Sequence, residues 1–203
     1  GERYFGAASQ VMVLGYAGDP DTLHRSDDLL SDVGDDATAA AAYVWYCAAE
    51  ASLAVGDDRA SARFERALDL AATTGASFVT GTAGASKTSI AARCGDPAVA
   101  AAEYKTLIDH WQRAGMWSTQ WTMLRSIAVL LERLGKHHDA AVLAAAIRST
   151  AAGHQVFGAD EVMLNELATR LRGRLGDAAY AAANARGSVL DGDAAVEHAL
   201  VAL

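Results

Sequence analysis

Residues 95–135 read GDPAVAAAEYKTLIDHWQRAGMWSTQWTMLRSIAVLLERLG, and this stretch decides the fold. It opens on Gly95, runs to Gly115, restarts at Trp117 and closes at Gly135. Tyr104, Leu107, Ile108 and Trp111 fall at i, i+3, i+4 and i+7. Met123, Ile127, Leu130, Leu131 and Leu134 repeat the pattern, so each half is an amphipathic helix with a stripe that faces a core. Glycine stops a helix because it adopts the left-handed C-cap conformation without a Cβ clash. Asp96 before Pro97 supplies an N-cap and a first helical residue whose φ is already set. The stretch therefore holds two helices joined by a tight turn, the second helix of one hairpin and the first helix of the next.

The pattern recurs along the chain. Gly18, Gly56, Gly95, Gly135 and Gly176 form one ladder, with steps of 38, 39, 40 and 41 residues. Gly34, Gly75, Gly115 and Gly153 form a second, with steps of 41, 40 and 38. Two helix stops per repeat mark stacked hairpins. The expected fold is all-α, a right-handed helical-hairpin solenoid of tetratricopeptide-like type with a period of about 40 residues. It forms a single repeat domain over 1–203, of about five hairpins plus a C-terminal capping helix. The first helices of the hairpins are predicted at 3–17, 38–55, 76–93, 117–134 and 160–175. The second helices are predicted at 20–33, 59–74, 97–113, 138–152 and 177–186, and a last one at 192–202. The Gly-Asp-Pro run at 18–20 is read like that at 95–97, as C-cap, N-cap and first helical residue. The tetratricopeptide period is 34 with a closing Pro; here the helices are longer and the closing Pro is missing, so the superhelical pitch does not transfer.

The second helices share a register. Ala60, Ala100 and Ala140 are followed four residues later by Phe64, Tyr104 and Ala144, and then by Ala67, Leu107 and Ile147. A small residue followed by a larger one lets a second helix lie close against its first. All three alanines are expected at buried crossings.

Composition narrows the function. The chain has 203 residues, is 52% hydrophobic with only two prolines, and carries a net charge of −8. An Ala-rich, Pro-poor chain favours helix, and that charge opposes direct nucleic-acid binding, which normally uses a basic stripe. The acids concentrate at Asp27, Asp28, Asp32, Asp35, Asp36, Asp57 and Asp58; they read as a solvated face with helix caps, or as a patch for a basic partner. No apolar run approaches the ~18 residues of a membrane span, and no signal segment is visible, so a cytoplasmic location is expected. Cys47 and Cys94 form no CxxC pair and read as small, reduced core residues. The start at Gly1, without Met, suggests a piece of something longer.

Candidate chemistry is sparse. GTAGASKTS at 81–89 imitates a P-loop, but Ser86 stands where the glycine before the lysine must wrap a phosphate, and no strand precedes Gly81. Repeat register puts this segment inside a helix, with Lys87 on its surface. His137, His138 and Asp139 have metal-ligand side chains, yet adjacent helical residues point ~100° apart, unlike the i, i+4 pair of HExxH. They are read as turn residues, with Asp139 helping to cap a helix. His24, His110, His154 and His198 are scattered. No catalytic residue, cofactor or metal site is assigned, and an enzyme is not expected.

The aromatic residues are the least ordinary feature. Trp117 and Trp121 stand at i, i+4 with Gln120 and Arg125 nearby, and Tyr43, Trp45 and Tyr46 cluster on an earlier first helix. Two readings stay open: packing between hairpins, against Trp111 in the case of the tryptophans, or a groove lined for a partner or ligand. First helices cover the concave surface of such solenoids, which is where a groove would form.

Residues 89–146 (SIAARCGDPAVAAAEYKTLIDHWQRAGMWSTQWTMLRSIAVLLERLGKHHDAAVLAAA) and the ending LGDAAYAAANARGSVLDGDAAVEHALVAL at 175–203 resemble a known region. It is the C-terminal tetratricopeptide-like repeat region of large actinobacterial signal-transduction ATPase and LuxR-type (MalT-like) transcriptional regulators. The resemblance spans about residues 50–203; the earlier part fits by repeat register. It implies a sensor and interaction arm, with ATPase, cyclase and DNA-binding motifs residing in other domains. The expected function is thus to bind a ligand or partner on the concave face, a protein, other domains of the same chain or a small molecule. The alternative is a structural arm that associates with a copy of itself.

Overall fold

The computed structural model describes residues 2–34, 36–149 and 159–203. Asp35, Gly153 and His154 lie outside the described residues. Eleven helices and no strand occur among the described residues. In chain order they are α1 (Glu2–Tyr16), α2 (Thr22–Val33), α3 (Ala39–Ala54), α4 (Ala60–Thr74), α5 (Ser77–Cys94) and α6 (Pro97–Ala114). There follow α7 (Trp117–Arg133), α8 (His137–Arg148), α9 (Ala159–Leu175), α10 (Asp177–Gly187) and α11 (Gly192–Ala202). The all-helical expectation holds, and the first helices fall within a residue or so of their predicted bounds.

Helix stops follow the ladders, with one departure. Every described residue with positive φ is a ladder glycine, and Gly75 and Gly115 cap α4 and α6 in the left-handed conformation, at φ 68° and 66°. Gly95 is the exception: its φ is not positive. The carbonyls at the end of α5 are met instead by the Arg133 guanidinium, which donates to Ala91 O at 3.1 Å, Ala92 O at 2.7 Å and Gly95 O at 2.8 Å. A cation on those carbonyls also opposes the negative end of the helix dipole. Gly95 is small for another reason, since a Cβ there would lie 3.0 Å from Ala91 Cα.

Helix starts differ more. Asp96 caps α6 as expected, accepting from Ala98 N at 2.8 Å with Pro97 in the first turn. At the Gly18–Pro20 turn the expectation fails, for α2 begins at Thr22 and Pro20 sits in the turn. Asp19 Oδ1 accepts from Asp21 N at 2.9 Å, the same bond that Asp96 makes. Asp19 O, however, accepts from Thr22 N at 3.2 Å, so the first turn is a tight i+3 turn and the α-helix starts after it. Asp57 does the same with Arg59 N at 3.1 Å, and α4 starts at Ala60.

The chain divides into two compact units, Gly1–Lys87 and Thr88–Leu203. In the first, α1, α2 and α4 pack on α3. Alanine lets α3 be surrounded: Ala41, Ala42, Val44, Cys47, Ala48, Ala49 and Ala51 are all buried. A Cβ on Gly15 of α1 would stand 2.8 Å from Ala51 Cα, so the two backbones nearly touch. In the second unit α8 has the central place, contacted by α7, α9, α10 and α11, while α6 packs on α7. Every residue from Ala140 to Ile147 is buried. The register holds in both units: Ala60, Phe64 and Ala67, Ala100, Tyr104 and Leu107, and Ala140, Ala144 and Ile147 are all buried. Of the predicted α7 stripe, Leu134 alone is half-buried, because it is the C-cap residue.

Candidate functional site

In the first unit the aromatic residues of α3 meet those of α1. The Phe5 and Tyr43 rings lie 5.0 Å apart between centroids, and Tyr43 and Tyr46 6.1 Å apart. Such spacings are those of attractive tilted aromatic pairs. Tyr43 Oη and Ser9 Oγ are 2.9 Å apart. One turn on, the buried Glu50 carboxylate accepts from Tyr16 Oη at 2.8 Å and from the Ser86 hydroxyl of α5. Burial and then the Glu50 charge hold the Tyr46 hydroxyl above the usual phenol range. Burial pushes the Cys47 thiol up to about 12; its hydrogen bond with Tyr43 offsets part of this and Glu50 adds to it. Cys47 is therefore an inert core thiol, whereas Cys94 is exposed on the last turn of α5, contrary to its expected place in the core.

Tyr43, Trp45 and Tyr46 are thus all half-buried, and Tyr43 and Tyr46 are in ring contact, whereas Trp45 stands ~200° around α3 from Tyr43 and outside this cluster. Phe5, Tyr16, Glu50 and Ser86 belong to the same cluster and were not singled out by sequence. The available signal was the hairpin register, which aligns α1, α3 and α5; an isolated Glu in an Ala-rich helix does not announce a buried carboxylate.

In the second unit the candidates separate. Trp117 is 52% exposed at the first position of α7, next to the exposed Met116. Trp121 and Gln120 are buried, and Gln120 Nε2 donates to Ile108 O at 3.0 Å. Arg125, mostly buried, pairs with Asp160 of α9. The i, i+4 spacing does not make a shared exposed face here. A Cβ on Gly192 would lie 4.0 Å from Trp121 Cζ3, so the start of α11 covers the second indole and not the first.

The remaining motifs resolve simply. Residues 81–89 lie inside α5, where the backbone is engaged in helix and cannot wrap a phosphate, and Lys87 Nζ is 3.2 Å from Glu65 Oε1. Asp139 is in the first turn of α8, with His198 Nε2 3.6 Å from its Oδ1. Among the described residues no group of three or more His, Cys, Asp or Glu is placed to hold a metal ion.

The acidic cluster has a structural use. The buried Arg63 of α4 donates to Ser26 Oγ and Ser52 Oγ, both at 2.8 Å, and pairs with Asp27 of α2. Arg59 reaches the same Asp27 at 3.0 Å and Asp57 at 2.8 Å. These ties join α2, α3 and α4, so Asp27 and Asp57 are neither merely solvated nor free for a basic partner.

No family model matches this chain, and no curated protein or solved structure is significantly similar to it. No helix among the described residues is long and apolar enough to cross a membrane.

Proposed function

We propose that this chain is a helical-repeat interaction domain, a right-handed stack of hairpins acting as the cytoplasmic sensor arm of a larger transcriptional regulator. It takes a ligand or partner on the surface of its first helices. The observation that carries this reading is the aromatic cluster Phe5, Tyr43 and Tyr46 beside the Tyr16–Glu50–Ser86 hydrogen bonds. It combines half-exposed apolar rings with a fixed carboxylate, the mixture that orients a small molecule or peptide in a mainly apolar site. A ligand bound there would shift a two-state equilibrium of the parent by its differential affinity.

A second reading rests on α1. Phe5, Val13 and Tyr16 are exposed on that helix, and an apolar helix face of this kind also suits pairing with a second copy of the chain.

Two measurements separate the readings. Thermal shift with a panel of small aromatic and apolar compounds should yield stabilisers whose effect is lost in Tyr43→Ala. A stabiliser unaffected by both Tyr43→Ala and Trp117→Ala binds elsewhere and overturns the first reading. Sedimentation over a range of concentrations addresses the second: mass that rises without ligand, and does not in Val13→Asp, favours self-association.

A further inference from the structure

The second unit holds a cleft that neither reading uses. It is about 440 Å³ in volume and is lined by Glu132, Arg133, Gly135, His137, Arg170 and Arg174. Three arginines and one carboxylate line it. Arg170 grips Glu132 in a bidentate pair, with Nε 3.0 Å from each oxygen, and Arg174 Nε stands 3.9 Å from Glu132 Oε1. Arg133 spends its donors on the carbonyls that end α5. Arg174 is the least committed, with 59% of its side chain exposed. The first turn of α8 borders the cleft at His137, and no side chain caps that helix. Its N-terminus adds partial positive charge and free backbone donors.

The local balance is therefore cationic in a chain of net charge −8. Arginine is the side chain whose planar fork matches phosphate oxygens. The volume falls within the ~300–1,000 Å³ of small-molecule sites and exceeds what a lone phosphate fills. Apart from the His137 imidazole the lining contains no aromatic ring, and it has no aliphatic side chain, so little there would stack a base or cover an apolar group.

We propose that this cleft binds a small phosphate-bearing polyanion, of the pyrophosphate or sugar-phosphate class, held by Arg174, Arg170 and the N-terminus of α8. The net-charge argument against phosphate does not apply locally, because within the ~8–10 Å Debye length of physiological salt the nearby arginines dominate. A nucleotide would be held chiefly through its phosphates.

The test is calorimetric titration of the chain with pyrophosphate, tripolyphosphate, ATP and succinate at low salt. Pyrophosphate should bind, more weakly as salt is added. Arg174→Gln should weaken it about tenfold or more while leaving the Arg170–Glu132 pair and the melting temperature intact. Lys105→Gln, the same charge change on the exposed face of α6, should leave the affinity unchanged. ATP should match tripolyphosphate. No binding up to about 10 mM, beyond the range of a specific site, overturns the proposal. So does equal loss in Arg174→Gln and Lys105→Gln, succinate binding as tightly as pyrophosphate, or ATP binding far tighter than tripolyphosphate.

Discussion

Gly187, the last residue of α10, lies so close to α8 that a Cβ built on it would stand 2.0 Å from the carbonyl oxygen of Val142. The Ala145 Cβ would be 2.8 Å away on the same side. The first obstacle is backbone, which cannot swing aside as a flexible side chain does. Gly173, within α9, meets nothing within 4 Å. Gly187→Ala should therefore destabilise by about 3 kcal/mol through overpacking. Gly173→Ala should stabilise by about 0.5–1 kcal/mol, because it removes backbone entropy from the unfolded chain. Urea unfolding of both variants is the check, and effects of the same sign would contradict the α8–α10 crossing.

Ala100 is fully buried, at the position of the shared register that Ala60 and Ala140 also occupy. Ala100→Leu should force its neighbours off their rotamers and cost about 1–3 kcal/mol. An unchanged denaturation midpoint would show that this register position has room to spare.

How much of this was legible follows from the range of each interaction. Helix limits depend on caps and periodicity within a few residues, and Ala39–Ala54 and Trp117–Arg133 came out within a residue of expectation. The burial of Ala60, Ala100 and Ala140 was legible because register repeats it three times. Gly95 was misread because its helix end is closed by Arg133, a full hairpin later in the chain. Gly187 escaped notice because it belongs to neither ladder; its reason is a backbone crossing, which leaves no periodic trace. The candidate site was half legible. The aromatic identity of Tyr43 and Tyr46 is in the sequence, whereas their partnership with Phe5 and Glu50 depends on how α1 and α5 lie against α3. The arginine cleft needs Arg133, Arg170 and Arg174 from two separate helices, and net charge hides it.

Stability should depend on acid in a way set by Arg59. Its guanidinium Nε lies 2.9 Å from Asp57 Oδ2, and these hydrogen bonds, with the backbone N–H of Arg59, hold the Asp57 carboxyl down to about 2. The unfolded-state value is near the usual ~3.9, so the folded value is the lower of the two. The stabilisation is then complete above about pH 4 and is lost as the pH falls from there through about 2. Arg59→Gln should remove most of it, leaving the backbone N–H and the Arg63 charge. Other carboxylates titrate in the same window, so the readout is the difference between the two proteins. The melting temperature of the parent should fall more steeply than that of the variant; parallel curves would refute the pairing.

The two tryptophans of α7 provide the sharpest contrast between spacing and environment. By sequence Trp117 and Trp121 are equivalent, four residues apart on one helix. In the fold Trp117 is half exposed at the helix start and Trp121 is covered where α11 begins at Gly192. Truncating a large buried aromatic removes its transfer free energy and leaves a cavity, so Trp121→Ala should cost about 3–5 kcal/mol. Trp117→Ala removes a side chain that is half exposed and should cost clearly less, about 1–2 kcal/mol. Acrylamide should quench the parent chiefly through Trp117, and the accessible fraction of the emission should fall in Trp117→Ala. Removing α11 by truncation before Asp191 should then expose Trp121 and raise that fraction again. If Trp121 stays protected without α11, its cover comes from α7's other neighbours. If Trp117→Ala proves as costly as Trp121→Ala, its indole is packed and cannot serve as an open contact for a partner.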